Sequence, residues 1–156
     1  MEFKRISFPD QHYLYVEKHV PMEGTAISQA MGAGFGELFG FTQAMKIDRL
    51  SMPSAIYQDM PSAEGMVFRA AIFVKPSDAD KAEGNIKAGK IPAGEAITTT
   101  HVGGYANLNE THQKIWAYMA EENIPGDMPI WEIYIDDPTT VPEDTCRTDV
   151  FRKIGE

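Results

Sequence analysis

Ile130-Trp131-Glu132-Ile133-Tyr134-Ile135 is an apolar and aromatic run with a single carboxylate inside it. Residues of these types suit a pleated, largely buried strand. A carboxylate in such a strand is costly to desolvate unless something pairs with it. Earlier in the chain, Ala55-Ile56-Tyr57-Gln58-Asp59 repeats the pattern of Glu132-Ile133-Tyr134-Ile135-Asp136, with Ala55 where the later copy has Glu132. The match implies a duplicated chain, and an acid present in one copy only marks Glu132 as a site candidate.

Outward from these strands, the two halves follow one plan. The first half opens with alternation over His12–Val20, which predicts a strand. Ile27, Met31, Phe35, Leu38 and Phe39 then recur at helical spacing and predict a helix from about Thr25 to Lys46. Gly32, Gly34, Gly36 and Gly40 weaken that helix by roughly 1 kcal/mol each relative to Ala, which suggests close packing of its backbone on a sheet. Strands are expected over Ser54–Asp59 and Met66–Lys75. A polar, turn-prone linker follows at Pro76–Lys81, and Gly84–Gly94 shows no periodicity.

The second half restarts at Glu95–Val102, where His101-Val102-Gly103 echoes His19-Val20-Pro21. Asn107 and Glu110 have capping-box spacing. Leu108, His112, Ile115, Trp116 and Met119 line one face of the helix that follows, and Pro125 is expected to end it. Strands over Ile130–Asp136 and Cys146–Lys153 complete the half. Val67-Phe68-Arg69 also matches Val150-Phe151-Arg152. The order strand, helix, strand, strand thus occurs twice, at about residues 10–76 and 94–156 of a single domain spanning 1–156. It predicts an α+β fold of duplicated β-α-β-β units with pseudo-twofold symmetry, the helices on one face of an antiparallel sheet.

Composition bounds the partners. A chain of 156 residues with 43% hydrophobic content can bury a real core. The net charge of -9 repels nucleic-acid phosphate and anionic membrane, so direct nucleic-acid binding is not expected, whereas a cationic ligand would be attracted. The single Cys146 excludes an internal disulfide and a cysteine-based zinc site, and suits a reducing cytoplasm. No charged-then-apolar stretch opens the sequence and no apolar run approaches roughly 18 residues, so neither a signal peptide nor a membrane span is expected.

Alternation puts Glu132, Tyr134 and Asp136 on one strand face and Trp131, Ile133 and Ile135 on the other. The aliphatic set is the better candidate to pack on the helices, which would turn Glu132 and Tyr134 to the opposite surface. An acid beside an aromatic ring suits a cationic or aromatic ligand. Tyr57 would enter the same groove from across the pseudo-axis, with Phe68 adding to the wall. The plainer alternative is a solvated Glu132 on the open face of the sheet.

Other chemistry has less support. No H-E-x-x-H or other spaced ligand set occurs, so neither metal nor cofactor is expected. His19 and His101 read as equivalent strand ends, and His112 as a core-edge residue. No G-x-S-x-G elbow is present, and Gly32-Ala33-Gly34-Phe35-Gly36 lies within a helical pattern rather than in a phosphate loop. The nine Met residues are flexible filler for a core or an adaptable pocket.

Phe35-Gly36-Glu37-Leu38-Phe39-Gly40, Pro53-Ser54-Ala55-Ile56-Tyr57, Gly94-Glu95-Ala96 with His101-Val102-Gly103-Gly104-Tyr105, and Trp131-Glu132-Ile133-Tyr134 followed by Asp137-Pro138 occur in this order. Together they resemble the GyrI-like, or AraC-type effector-binding, domain family over nearly the whole chain. The resemblance implies a duplicated β-α-β-β fold with a central ligand groove. It implies a stand-alone cytoplasmic protein that binds a drug or effector, lipophilic, aromatic or cationic, through Glu132, Tyr134, Tyr57, Phe68 and Tyr105. Relatives also include hydrolases of reactive genotoxins, for which Glu132 and Tyr134 would be the catalytic candidates, and modulators of gyrase. For the hydrolase alternative, partial burial would raise the pKa of Glu132 toward acid–base work. For the protein-interaction alternative, Asp136, Asp137, Glu143, Asp144 and Asp149 form a loose acidic cluster. The first family strand starts within about 15 residues of Met1, so a preceding helix-turn-helix is not expected. A homodimer or a protein partner is left open.

Overall fold

A computed structural model of the chain describes residues 1–60, 62 and 64–155. The elements are β1 (Lys4–Phe8), β2 (Gln11–Val20), α1 (Gly24–Ala44), β3 (Ser54–Tyr57), β4 (Met66–Phe73), α2 (Pro76–Ala79), β5 (Lys87–Ile91), β6 (Gly94–Val102), α3 (Leu108–Glu121), β7 (Gly126–Tyr134) and β8 (Arg147–Ile154). The strands form one eight-stranded antiparallel sheet in the order β1-β6-β8-β7-β3-β4-β2-β5. Exchanging β1–β4 for β5–β8 returns the same order read from the other end. The fold is therefore α+β with a pseudo-twofold axis between β3 and β7, as the sequence predicts.

The repeat is larger than the sequence pattern suggests. β1 and β5 lie outside the predicted strands, and each crosses over to the other half: β1 pairs with β6 and β5 with β2. Both are short and largely exposed, with the compositions KRISF and KAGKI. Lysines and few apolar side chains are what an edge strand carries, so the apolar signal for a strand is weak there. The expected linker likewise holds the short helix α2.

Register corrects two sequence matches. Ala55 pairs with Glu132, Ala55 with Ala70, and Glu132 with Val150. Continuing outward, Phe68 pairs with Lys18 and Thr148 with His101. Phe68 therefore corresponds to Thr148, and His101 to Lys18. The tripeptide match of Phe68 with Phe151 and the histidine match of His19 with His101 are both out of register by an odd number. An odd slip flips the face. Accordingly His101 is buried while His19 is exposed.

Helix ends differ from expectation in two places. Asn107 makes no side-chain capping bond, because it already lies in the short 3-10 turn Tyr105–Asn107 at φ -100 and ψ 3, away from the extended geometry a capping side chain needs. The C-terminus of α3 is set by Asn123 in the left-handed region, φ 56, with the Ile124 N–H donating to the Met119 carbonyl. The helix stops before Pro125 is reached. Of the α1 glycines, only Gly34 serves close packing: a Cβ there would sit 2.7 Å from the Ala70 Cβ, whereas Gly32, Gly36 and Gly40 face open space.

The two long helices, α1 and α3, lie on one sheet face. α1 rests on β2 and β4 over Leu14, Val16, Phe68, Ala70 and Ile72, and α3 rests on β6 and β8 over Ile97 and Val150. The opposite face is buried without a helix. Trp131 meets Phe8 edge-on at 5.5 Å and stacks on Phe151 at 5.0 Å, and Tyr13 meets Phe73 edge-on. The expected assignment of faces is thereby reversed: Trp131 and Ile133 belong to the helix-free side, and Glu132 and Tyr134 point toward the helices. A strand that is apolar on both faces carries no sequence signal for which side the helices take. No described helix is long and apolar enough to cross a membrane.

Candidate functional site

With α1 on one outer strand pair and α3 on the other, the central β3–β7 pair becomes the floor of the space between the helices. Glu132 rises from that floor at 4% exposure. Its Oε1 accepts a 2.6 Å hydrogen bond from the Tyr134 hydroxyl, and the Tyr57 hydroxyl approaches the same oxygen at 3.5 Å. His112 Nε2, reaching down from α3, lies 2.7 Å from Oε2. The buried carboxylate is thus met by donors from β3, β7 and α3, as a desolvated charge requires.

The two tyrosines are held as neutral donors. Burial, followed by the negative charge of Glu132, pushes the Tyr57 and Tyr134 hydroxyls well above the ordinary phenol range. Tyr105 is raised too, foremost by burial and then by Cys146. Behind this layer, Phe35 meets the Tyr134 ring edge-on at 6.0 Å, and the Tyr134 hydroxyl reaches Met31 Sδ at 3.7 Å.

The groove has two adjoining chambers. The first, about 580 Å³, is walled by Tyr57, Tyr105, His112, Trp116, Glu132 and Tyr134, and Met22, Met31, Met60 and Met66 also line it. The second, about 850 Å³, contains Phe35, Phe39, Met52, Asp136, Asp137, Glu143 and Cys146. Ser28, Met31, Tyr105 and Tyr134 line both. The buried Trp116 Nε1 has no hydrogen-bond partner among the described residues, while Arg152 stacks over the Trp116 ring at 5.1 Å.

Of the residues singled out from sequence, Glu132, Tyr134, Tyr57 and Tyr105 converge on the first chamber. Tyr105 is 40% exposed and its ring centre is 5.3 Å from that of Tyr134, at the boundary between chambers. Phe68 does not reach the space. It is fully buried behind Tyr57, with ring centres 6.3 Å apart, beneath α1. His112 was missed as a site residue. Its one sequence signal is a titratable group on the stripe of Leu108, Ile115, Trp116 and Met119, which also suits the edge of a core. His101 has a structural role: Nδ1 lies 2.6 Å from Thr111 Oγ1 and Nε2 lies 3.0 Å from the Gly104 carbonyl, tying the start of α3 to β6. No cluster of His, Cys, Asp and Glu able to hold a metal occurs among the described residues.

The GyrI-like small molecule binding domain model matches residues 1–154. No curated protein sequence matches the chain. Among solved structures, EcmrR in complex with DNA superposes with a TM-score of 0.78 at 18% identity over 99% of this chain, which spans only 57% of the EcmrR chain. A hydrolase from Listeria innocua gives a TM-score of 0.66 at 15% identity, covering 99% of this chain and 92% of that one. SAV2435, bound to tetraphenylphosphonium, gives 0.66 at 12% identity, covering 99% and 94% respectively. At these identities the likeness is one of fold.

Proposed function

Because this chain belongs to the GyrI-like small molecule binding domain family, we propose that it is a receptor for a lipophilic aromatic cation, held at Glu132 between α1 and α3. The observation that carries this reading is the character of the first chamber. A buried carboxylate lies at its base, its walls are aromatic rings and thioethers, and no Lys or Arg is among its lining residues. At an effective dielectric of about 20, a cation at about 4 Å gains on the order of 4 kcal/mol from such a charge. Contact with a ring face adds about 0.5–2 kcal/mol. Flexible methionines let one space fit ligands of different shape. SAV2435, which shares the fold, was solved with tetraphenylphosphonium bound, a ligand of this class.

The test is calorimetry and thermal shift with tetraphenylphosphonium against neutral triphenylphosphine oxide. At about 100 times its dissociation constant the cation stabilises the fold by roughly 2.7 kcal/mol. Glu132→Gln, which keeps the shape, weakens it about 10- to 100-fold, the worth of a charge-assisted contact. Equal binding of the neutral compound, or full affinity in Glu132→Gln, removes the carboxylate from the reading. Free buried Cys146 suits a reducing compartment and supports a cytosolic setting.

A hydrolytic reading of the same groove draws on the shared fold of the Listeria innocua hydrolase and on the Tyr134–Glu132 bond. Against it, His112 and Tyr134 already engage both Glu132 oxygens, and Tyr57 stands close to one of them. A carboxylate so engaged suits holding a cation better than drawing a proton from water.

A further inference from the structure

Glu132 does not line the second chamber, which is larger than the first and carries its own charge. Asp136, Asp137 and Glu143 line it, and no Lys or Arg does. Asp136 is neutralised from outside by Arg147, which donates to it from the backbone at 3.0 Å and from the guanidinium at 2.9 and 3.1 Å. Among the described residues, the Asp137 carboxylate accepts only from the backbone N–H and hydroxyl of Thr139, at 2.8 and 2.7 Å. Glu143 has no ion pair among the described residues, and its carboxylate lies in the space that a Cβ on Gly104 would fill. Asp137 and Glu143, both exposed and neither in an ion pair among the described residues, therefore line a chamber that Phe35, Phe39 and Met52 also line and that shares the rings of Tyr105 and Tyr134 with the first.

We propose that the groove is bipartite and takes an elongated dication, with one cationic head at Glu132 and the other between Asp137 and Glu143. This rests on the reading of Glu132 as a cation anchor. The linker runs along Met31 and the Tyr105–Tyr134 rings, the wall that both chambers share. That wall is apolar and aromatic, so it suits a hydrocarbon linker, while each end offers carboxylates without a Lys or Arg in the lining. Joining two heads makes the second contact intramolecular, and affinity rises without any new type of contact.

The experiment compares a bis-pyridinium alkane with the mono-pyridinium alkane of the same chain length by calorimetry on the intact chain. The expected result is one bis-cation per chain, bound about 100-fold tighter than the mono-cation. In Glu143→Gln combined with Asp137→Asn, which keeps an acceptor for the Thr139 turn, that ratio falls toward one. Glu132→Gln weakens both ligands. Circular dichroism confirms that each variant is folded. If the mono-cation binds and responds to Glu132→Gln but the bis-cation has no advantage, or keeps its advantage in the double variant, the bipartite groove is overturned and the Glu132 reading stands. If neither ligand binds, both are overturned.

Discussion

Ala55 and Glu132 face each other across the β3–β7 pair, at equivalent points of the duplicated sequence and therefore on the pseudo-twofold axis. A residue on the axis meets its own counterpart. Two glutamates there would be direct cross-strand neighbours, with Cβ atoms about 4.5–5.5 Å apart and like charges opposed. Ala55 removes that conflict, while Tyr57 and Tyr134, which are also repeat equivalents, flank the axis and address the same Glu132 oxygen. The asymmetry seen in the sequence is thus a consequence of geometry.

Ala55→Glu is expected to destabilise the protein more than Ala55→Gln. Both overpack a fully buried position, which costs about 1–3 kcal/mol. The added charge costs at least about 1 kcal/mol more near neutral pH. Since the extra penalty belongs to an ionised carboxylate whose folded pKa is raised by repulsion and burial, it fades as pH falls toward the unfolded value of about 4.3 and is absent below it. Chemical denaturation of the two variants across pH measures the gap, and equal stabilities throughout would mean the axial repulsion is absent.

A double-mutant cycle of His112→Asn and Glu132→Gln should return a coupling of about 1–3 kcal/mol, because the pair is 2.7 Å apart and each side chain is mostly buried. A coupling near zero would show that the α3 contact does not hold the carboxylate.

Alkaline titration should find the groove tyrosines resistant. Burial raises the hydroxyls of Tyr57, Tyr134 and Tyr105, and burial foremost also raises Tyr13, despite the bond it accepts from Arg69. A phenol whose folded pKa exceeds its unfolded value of about 10 contributes stability that is fully present below pH 10. That stability is lost as pH rises through the raised folded value. Tyrosinate absorbance should therefore lag in the native protein relative to the denatured one. Tyr57→Phe and Tyr134→Phe should each remove part of the lag.

Gly36→Ala and Gly40→Ala should stabilise the protein by up to about 1 kcal/mol each, since both lie in α1 with open space at the missing Cβ. Gly34→Ala should destabilise it, because the new methyl meets Ala70 in the core. Opposite signs in thermal denaturation would support this division, and a uniform gain would refute it.

Much of this was legible in sequence. The Ala55/Glu132 repeat gave the duplication, the strand–helix–strand–strand order gave the α+β class, and the quoted motifs gave the family. Tyr57, Tyr134 and Glu132 were legible as one constellation because period-two alternation is local. Phe68 was misplaced since its strand face also passes under α1, where a ring is core rather than wall. His112 was passed over because a histidine on an apolar helix stripe looks the same whether it tops a core or pairs with a carboxylate.

The sequence by itself determined which residues share a strand face and which positions recur, since both follow from backbone periodicity. Only the tertiary structure decided which face the helices cover, because β7 is apolar on both sides and its partners come from distant strands. The same long-range register decided that Glu132 lies on the axis opposite Ala55 and that His112 descends onto it from α3. These facts depend on how β3 meets β7 and how α3 crosses the sheet, and no local pattern encodes either.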